Sequence, residues 1–462
     1  SLYQIQTKYR DEARPRAGLL RGREFTMKDS YSFDIDDDGL AVSYGAHRDA
    51  YIRTFDRLGI PYVIVSAVSG AMGGSKSEEF LAECEVGEDT FVRCGSCNYA
   101  ANTEAVQVRV APSTHTNIPK ARVVDTPNTP TIDTLVDCLN GLAASDGITS
   151  PHGAAWNGGD TLKNVVVMVK NPDGSRTPLA VGLPGDREVD MKRLEAQLSP
   201  AEVEAFDETH FATHRTLKKG YIGPGILGAD NPSHIRYLLD PRIARGSAWI
   251  TGANEYGKHV MNLVYGRDFE ADGVIDVAEV RDDDVCPKCA SALNVKRGIE
   301  IGHVFQLGRK YADTLGLSVL DQNGKQQVVT MGSYGIGVSR AVAAVAEATH
   351  DELGLRWPRE ITPFDLHIVI AGKDDGAITS AAEDIAKQCE SLGLRVVIDD
   401  RVGVSPGVKF KDAELLGFPT IIVAGRGVAN GTVEVRDRLA GTTSEVALAD
   451  AARHAHHLST QG

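Results

Sequence analysis

The pattern of hydrophobic and polar positions divides the chain into regions of different character. Hydrophobic and polar residues alternate over 2–10 and 24–33, which is typical of strands. The basic stretch between them, broken by a proline and a glycine, is typical of a loop. Apolar residues at helical spacing follow over 40–58 and stop at Gly59-Ile60-Pro61. The chain is therefore predicted to open with strand, loop, strand and helix, and a further strand is predicted over 61–68.

The middle and the end of the chain show different mixtures of elements. A block from about residue 98 to residue 284 is predicted to contain strands 165–169 and 178–181 and helices 191–197 and 200–206. After it, strands at 302–307 and 327–331 lead through a glycine-rich turn into a helix over 340–350. The tail alternates β and α, which predicts an α/β domain. Its predicted elements are strands 366–371, 395–398 and 420–423 and helix 377–392.

Length and charge narrow the class of protein. The 462 residues suffice for several domains with their own cores. A formal net charge of -14 argues against a protein that coats itself in nucleic acid, but it leaves room for a local basic track. No apolar run approaches the ~18 residues of a membrane-spanning helix, and the N-terminus lacks a signal-peptide core. We therefore expect a cytoplasmic protein that does not enter a membrane.

The basic hairpin near the start carries groups suited to a nucleoside triphosphate. The planar guanidinium of Arg10 can bind the α-phosphate through two hydrogen bonds, and Arg21 on the loop can reach the terminal phosphates. Phe25 offers a flat face for adenine, and Glu12 can accept a hydrogen bond from the adenine amino group. From pattern alone, a solvated charged hairpin explains the same residues.

A second segment, Met331 to Arg340, is rich in glycine. Gly332, Gly335 and Gly337 would let the backbone approach a ligand closely, and Arg340 would meet an anion in the first turn of the following helix. The segment lacks the pattern of a phosphate-binding P-loop or of a dinucleotide fingerprint. Tight packing of a strand-to-helix turn is the alternative explanation.

Together these segments resemble motifs two and three of the class II aminoacyl-tRNA synthetases. The runs Tyr3–Glu12, Arg23–Phe33 and Gly302–Gly308 are similar to those of the bacterial-type prolyl-tRNA synthetases. The resemblance implies an α+β fold: an antiparallel-sheet catalytic domain, an inserted α+β editing domain and a C-terminal α/β anticodon-binding domain. The implied ranges are 1–90 and 291–362 for the catalytic domain, 91–290 for the insertion and 363–462 for the tail. An N-terminal segment of the family is expected to precede residue 1.

The family's activity is the ATP-dependent joining of proline to tRNA(Pro), with Mg²⁺, in a homodimer. The resemblance implies a catalytic set of Arg10, Glu12, Gln306 and Arg340. The implied ATP-binding set is Arg10, Glu12, Arg21, Phe25, Gln306, Gly335, Gly337 and Arg340. The implied proline pocket contains His303, Ser333 and Glu79. The alternative is a synthetase-like tRNA-binding protein that has lost catalysis.

The resemblance also implies two RNA-related sites. Hydrolytic editing of alanyl-tRNA(Pro) would use Lys163, His259, Thr126 and Asp240, although each also fits an ordinary surface or core role. A second site is chemically reasonable because a proline pocket discriminates weakly against the smaller alanine. The tail would contact the anticodon through Arg401, Lys409 and Lys411, unless these are simply solvated basic residues.

Four of the seven cysteines form two close pairs. Cys94-x-x-Cys97 and Cys286-x-x-Cys289 bracket the middle block, and two such pairs can supply four thiolates to a structural Zn²⁺. The ends of an inserted domain must lie together, which would bring the pairs into contact. Free thiols are the alternative.

Overall fold

The computed structural model describes residues 1–107, 109–110, 117–146, 150, 155–372 and 376–460. They group into two compact units. The flanking unit comprises residues 1–63, 79–88 and 298–462, and the intervening unit comprises residues 64–78 and 89–297. None of the described helices combines the length and the apolar character that crossing a bilayer requires.

The first quarter of the chain is mostly β-structure. Its elements are β1 (Leu2–Tyr9), β2 (Glu24–Asp34), α1 (Asp37–Arg57), β3 (Tyr62–Ala67), β4 (Lys76–Glu83), β5 (Asp89–Cys94) and β6 (Ala100–Asn102).

The middle of the chain mixes short helices with strands. Its elements are β7 (Arg122–Asp125), α2 (Ile132–Asp146), β8 (Leu162–Lys170), β9 (Arg176–Pro184), α3 (Met191–Leu198), β10 (Glu202–Ala205), α4 (Glu208–Thr213), β11 (Arg236–Leu239), β12 (Ala248–Gly252), β13 (Lys258–Val264) and β14 (Gly273–Val274).

The last part returns to long strands and then alternates β and α. Its elements are β15 (Leu293–Gly308), α5 (Lys310–Leu315), β16 (Ser318–Leu320), β17 (Gln326–Val328), β18 (Thr330–Gly337), α6 (Val338–Thr349), β19 (Leu366–Ile370), α7 (Ala377–Ser391), β20 (Val396–Asp399), α8 (Pro406–Leu416), β21 (Thr420–Ala424), β22 (Thr432–Asp437), β23 (Thr442–Ala447) and α9 (Ala451–Thr460).

The flanking unit is built on antiparallel strands in the order β1-β2-β18-β15. One face of this sheet is covered by α1, whose buried Tyr44, Tyr51 and Phe55 pack beneath it. The His47 ring stacks on Tyr334 of β18 with 3.7 Å between ring centroids. The opposite face, which we call the open face, carries half-buried side chains such as Phe25.

The predicted glycine-rich turn is wrong, because these glycines belong to β18 and the helix begins only at Val338. Gly332 is required for packing: a Cβ there would lie 2.0 Å from the Tyr334 hydroxyl oxygen and 2.9 Å from Ser32 Oγ. The packing alternative therefore explains Gly332. Arg340 does lie in the first turn of α6, as predicted.

The intervening unit contains a five-stranded sheet, β10-β8-β9-β11-β14, and a three-stranded sheet, β12-β13-β7. The predicted helix over 200–206 is wrong: Glu202–Ala205 is β10, paired antiparallel with β8. Side chains of β10 alternate between core and surface, as in a strand. Val203 packs against the core, while the Glu202 carboxylate lies 2.7 Å from the Lys170 ammonium at the surface.

The tail of the flanking unit is a five-stranded sheet in the order β20-β19-β21-β22-β23. β19 is parallel to β20 and to β21, which confirms the predicted alternation of β and α. β22 and β23 add an antiparallel hairpin to the edge that the sequence patterns did not predict.

Candidate active site

The open face of the flanking sheet collects the charged groups that the sequence singled out. The Arg10 guanidinium lies over the Phe25 ring, 5.0 Å from its centroid, and 3.9 Å from the Met27 sulfur. Among the described residues no carboxylate forms an ion pair with Arg10. On the neighbouring strands Lys8 and Asp29 pair at 2.6 Å. The Arg10 guanidinium therefore lies beside an aromatic ring and has no ion-pair partner among the described residues. This arrangement suits the binding of a nucleotide.

The loop between β1 and β2 is held by an ion-pair chain. Arg21 Nε lies 2.8 Å from a Glu12 oxygen, and Arg21 Nη1 lies 2.7 Å from Glu88. Arg16 Nε reaches the other Glu88 oxygen at 2.6 Å. The hydrogen bond from Arg21 and that from the Arg14 backbone N–H hold the pKa of Glu12 below its usual range. The structure thus joins two predicted ATP ligands to each other, and it adds Glu88, which the sequence reasoning missed.

A second cluster lies at the start of α6 and on β15. Arg340 Nη1 donates to the Glu300 carbonyl at 3.2 Å and lies 3.4 Å from its carboxylate. His303 Nδ1 lies 3.3 Å from Glu300 and 3.4 Å from Glu79. One ligating atom from each of Glu79, Glu300 and His303 falls within 4.8 Å of the others.

Glu300 is the main site residue absent from the sequence predictions. Burial would raise the pKa of its carboxyl, but the hydrogen bond from His303 and the positive charges of Arg340 and Arg10 lower it below its usual range. The Glu-x-x-His spacing of Glu300 and His303 was the available signal. In a strand of strict period two these residues would face opposite ways, so the contact between them is not evident from the sequence.

The strand register places the remaining predicted residues around this cluster. Ser333 lies opposite Phe305 and Tyr31, and Gly335 lies opposite His303. Residues directly opposite in antiparallel strands share a face, so Ser333, Gly335 and His303 lie together. Gln306 lies opposite Gly332, beside an irregularity in the pairing of β15 with β18.

In the intervening unit, two of the predicted editing residues contact each other. Thr126 Oγ1 lies 2.7 Å from His259 Nδ1, and both side chains are buried. Burial lowers the pKa of His259 to about 4, so the ring is neutral at pH 7. The Tyr221 ring lies 5.3 Å from the His259 ring. These side chains form a compact polar group beneath the surface.

Lys163 and Asp240 have other partners. The Lys163 ammonium pairs with Glu188 at 2.7 Å. Asp240 is fully buried, and one of its oxygens accepts the backbone N–H groups of Val277 and Ala278 at 3.1 and 2.8 Å. The Asp240 carboxylate therefore fixes a backbone segment, and its role in editing stays a prediction.

The three predicted RNA contacts of the tail differ in their exposure and in their partners. Lys409 is only 3% exposed, and its ammonium donates to the carbonyls of Ile370 and Asp399. The Lys409 side chain therefore has a structural role, and its role as an RNA contact stays a prediction. Arg401 is half-exposed but pairs with Asp399 and Asp412, each at 2.7 Å. Lys411 is exposed on α8.

The two cysteine pairs meet, as an inserted segment requires. Cys94 Sγ lies 3.4 Å from Cys289 Sγ, and Cys97 Sγ lies 3.8 Å from Cys286 Sγ. All four sulfurs fall within 4.8 Å of one another. A tetrahedral Zn²⁺ with bonds of about 2.3 Å separates its sulfurs by about 3.8 Å. The four thiols therefore fit such an ion.

Comparison with known proteins agrees with this arrangement. Residues 1–349 match the family described as tRNA synthetase class II core domain (G, H, P, S and T), and residues 365–455 match the anticodon binding domain. A proline–tRNA ligase of Nocardioides sp. is 62% identical over 96% of this chain and 75% of its own length. Those of Kineococcus radiotolerans and Mycobacterium sp. are 59% and 61% identical, each over 98% of this chain and 76% of their own lengths. The chain therefore belongs to the class II tRNA synthetases, in the family of the proline–tRNA ligases.

Proposed function

We propose that this chain activates proline with ATP and transfers it to tRNA(Pro), as a proline–tRNA ligase. The observation that carries the proposal is the open face, where the Arg10 guanidinium lies over Phe25 and Arg340 contacts Glu300. Identity of about three residues in five to named proline–tRNA ligases selects proline as the amino acid.

The open face supplies a cation for each phosphate position of ATP. Arg10 binds the α-phosphate, and Arg21 and Arg340 bind the terminal phosphates, because guanidinium forks match phosphate oxygens. Adenine stacks on Phe25, and Glu12, fixed by Arg21, accepts a hydrogen bond from the adenine amino group. Gln306, Gly335 and Gly337 complete this site.

Proline lies beside Ser333, His303 and Glu79, and the Glu79 carboxylate pairs with its secondary ammonium. The proline carboxylate attacks the α-phosphorus of ATP, and pyrophosphate leaves to give prolyl-adenylate. The 3′-terminal hydroxyl of tRNA then attacks the prolyl carbonyl, loses its proton and expels AMP. Arg10 stabilises the charge on the α-phosphate in the first step through a preorganised contact.

Mg²⁺ fits this site through Glu300. Mg²⁺ binds proteins through one or two carboxylates and completes its shell with water and substrate phosphates. The Glu300 carboxylate lies beside Arg340, where the terminal phosphates would be bound. When bound, the ion neutralises charge on the phosphates of ATP.

We further propose that the intervening unit hydrolyses alanyl-tRNA(Pro). The support is the buried pair of Thr126 and His259, with Lys163 as a cation on the neighbouring sheet. The neutral His259 ring accepts or donates one hydrogen bond without a charge, which suits a pocket for a small uncharged side chain. Water attacks the ester carbonyl, and the tRNA hydroxyl leaves as alanine is released.

The remaining sites are proposed for structural Zn²⁺ and for the anticodon. Cys94, Cys97, Cys286 and Cys289 would hold the zinc ion and join the two ends of the intervening unit. Arg401 and Lys411 would contact RNA by pairing with phosphates or base edges.

The ligase proposal is tested by the exchange of labelled pyrophosphate into ATP in the presence of single amino acids. We expect exchange that depends on proline. Binding of tRNA(Pro) without exchange would instead favour a non-catalytic RNA-binding protein. For editing, Lys163→Ala or His259→Ala should slow the hydrolysis of alanyl-tRNA(Pro). Unchanged hydrolysis in both variants would contradict the editing proposal.

A further inference from the structure

A basic groove on the intervening unit lies next to the buried pair of Thr126 and His259. The groove has a volume of about 620 Å³, and its lining includes Thr131, Phe211, Arg215, Lys218, Lys219 and Tyr256. We propose that this groove, here called the α4 groove, binds the single-stranded 3′ end of tRNA and leads the aminoacyl ester towards His259. The proposal rests on the editing function proposed above.

The charge of the α4 groove is opposite to that of the whole chain, which carries a formal net charge of -14. Arg215 is exposed, and its guanidinium forms no ion pair with any described residue. The Lys218 ammonium donates to the Arg215 carbonyl at 3.0 Å. Lys219 pairs with Glu208, the carboxylate among the lining residues. Three cations against one carboxylate leave a local excess of positive charge, which is what a phosphate backbone requires.

The groove also presents an aromatic surface. Tyr256 is 66% exposed, and the Lys218 ammonium lies 5.8 Å from its ring centroid. The Lys219 ammonium lies 5.7 Å from the Phe211 ring. Aromatic rings interleaved with cations are the usual means of binding single-stranded nucleic acid, because the bases stack on the rings while the cations follow the backbone. The pairing of both features in one concave surface favours RNA as the occupant.

A chain of ring contacts links the groove to the buried pair. Tyr256 contacts Tyr221 edge-on at 5.8 Å, and Tyr221 lies 5.3 Å from His259. The Tyr221 hydroxyl accepts the Thr129 backbone N–H at 2.9 Å, which fixes Tyr221 between the groove and the pair. A base stacked on Tyr256 would therefore place the next, terminal nucleotide near Thr126 and His259.

The test uses the full chain and an RNA minihelix that reproduces the acceptor stem of tRNA(Pro), with a photoreactive thiouridine in its single-stranded 3′ end. We expect cross-links to peptides that contain Lys218 or Tyr256, and fluorescence anisotropy gives the affinity. Arg215→Ala combined with Lys218→Ala should weaken binding tenfold or more and reduce the slope of log affinity against log salt by about 1.4, since two phosphate contacts are lost. Arg176→Ala combined with Lys192→Ala removes two basic side chains elsewhere in the unit and should leave binding unchanged.

Substitutions of Tyr256 test stacking separately from charge. Tyr256→Ala should weaken binding by about 5- to 150-fold, the range for one base–aromatic stack, whereas Tyr256→Phe should stay within twofold. Cross-links only outside the groove, together with wild-type affinity in the Arg215/Lys218 and Tyr256→Ala variants, would overturn the proposal.

Hydrolysis of alanyl-minihelix in the same variants separates this proposal from the editing proposal. If the wild type hydrolyses the ester and the groove variants do so equally well, the groove assignment is overturned while editing stands. If the wild type does not hydrolyse it but the groove variants still lose affinity, editing fails and the groove remains a binding site. Proline-dependent pyrophosphate exchange should be unchanged in every groove variant, which excludes general misfolding.

Discussion

Acidification should destabilise the intervening unit through His259. The side chain is 3% exposed, and burial lowers its pKa to about 4. A histidine in an unfolded chain has a pKa of about 6.5, so the unfolded state takes up a proton first as the pH falls. The contribution of the neutral ring is therefore fully present above pH ~6.5 and is lost progressively between pH ~6.5 and pH ~4.

The size of this effect follows from the shift. Lowering the pKa of His259 from about 6.5 to about 4 corresponds to about 3 kcal/mol of unfolding free energy over the whole range, and about 2 kcal/mol of it is lost between pH 7 and pH 5. That loss is large compared with the usual stability of a domain, about 5–15 kcal/mol. Thr126, 2.7 Å from the ring, cannot offset it because a hydroxyl supplies no negative charge.

Urea unfolding at pH 7 and pH 5 measures the effect in this unit. Two of the three tryptophans, Trp156 and Trp249, lie in the intervening unit, so a Trp357→Phe background confines the fluorescence signal to it. In that background the chain with His259 should lose about 2 kcal/mol more on acidification than His259→Gln. The exposed His234, replaced by Asn, is the control and should behave like the parent. Equal losses with and without His259 would refute the reasoning.

Three further predictions follow from the other sites. Purified protein should contain about one zinc ion per chain by metal analysis, and Cys286→Ser should lose it while Cys138→Ser keeps it; well under one zinc in the wild type would contradict the site. Arg21→Ala should raise the KM for ATP in pyrophosphate exchange about tenfold, through loss of a charge-assisted hydrogen bond of about 1.5–3 kcal/mol; a changed kcat with an unchanged KM would argue for another role. Lys409→Ala should lower the unfolding free energy of the tail by about 1–3 kcal/mol, because the buried carbonyls of Ile370 and Asp399 lose their hydrogen-bond donor. In contrast, Lys411→Ala should leave stability unchanged and weaken tRNA binding in a filter assay; the reverse pattern would favour Lys409 as the RNA contact.

Predictions of structure from the sequence were most accurate where the local hydrophobic pattern and the chemistry of the residues agree. The two strands around the basic loop, helix α1 and strands β19, β20 and β21 of the tail were predicted from hydrophobic periodicity and from the positions of glycine and proline, and the structure has them. The two Cys-x-x-Cys pairs required only that an inserted segment returns to its starting point. The two class II segments were sufficient to identify the family.

Features set by tertiary contacts were harder to predict. The glycines of β18 suggested a turn, yet Gly332 is a strand residue that makes room for Tyr334. Glu202–Ala205 is too short for its period to distinguish a strand from a helix, and pairing with β8 decides the outcome. Whether a cation is available to a ligand depends on its neighbours: Arg10 pairs with no carboxylate among the described residues, while Lys409 is buried against carbonyl groups. Domain boundaries and the homodimer stay predictions.

The central claim is that the open face binds ATP and activates proline. It is tested most directly by proline-dependent pyrophosphate exchange in the wild type, Arg340→Ala and Arg309→Ala. Arg340 contacts Glu300 on the open face, whereas Arg309 pairs with Asp37 at 3.3 Å. We predict exchange in the wild type and in Arg309→Ala, and a loss of at least a hundredfold in Arg340→Ala, the order expected for a guanidinium on the reacting phosphates. Equal exchange in Arg340→Ala and the wild type would contradict the account.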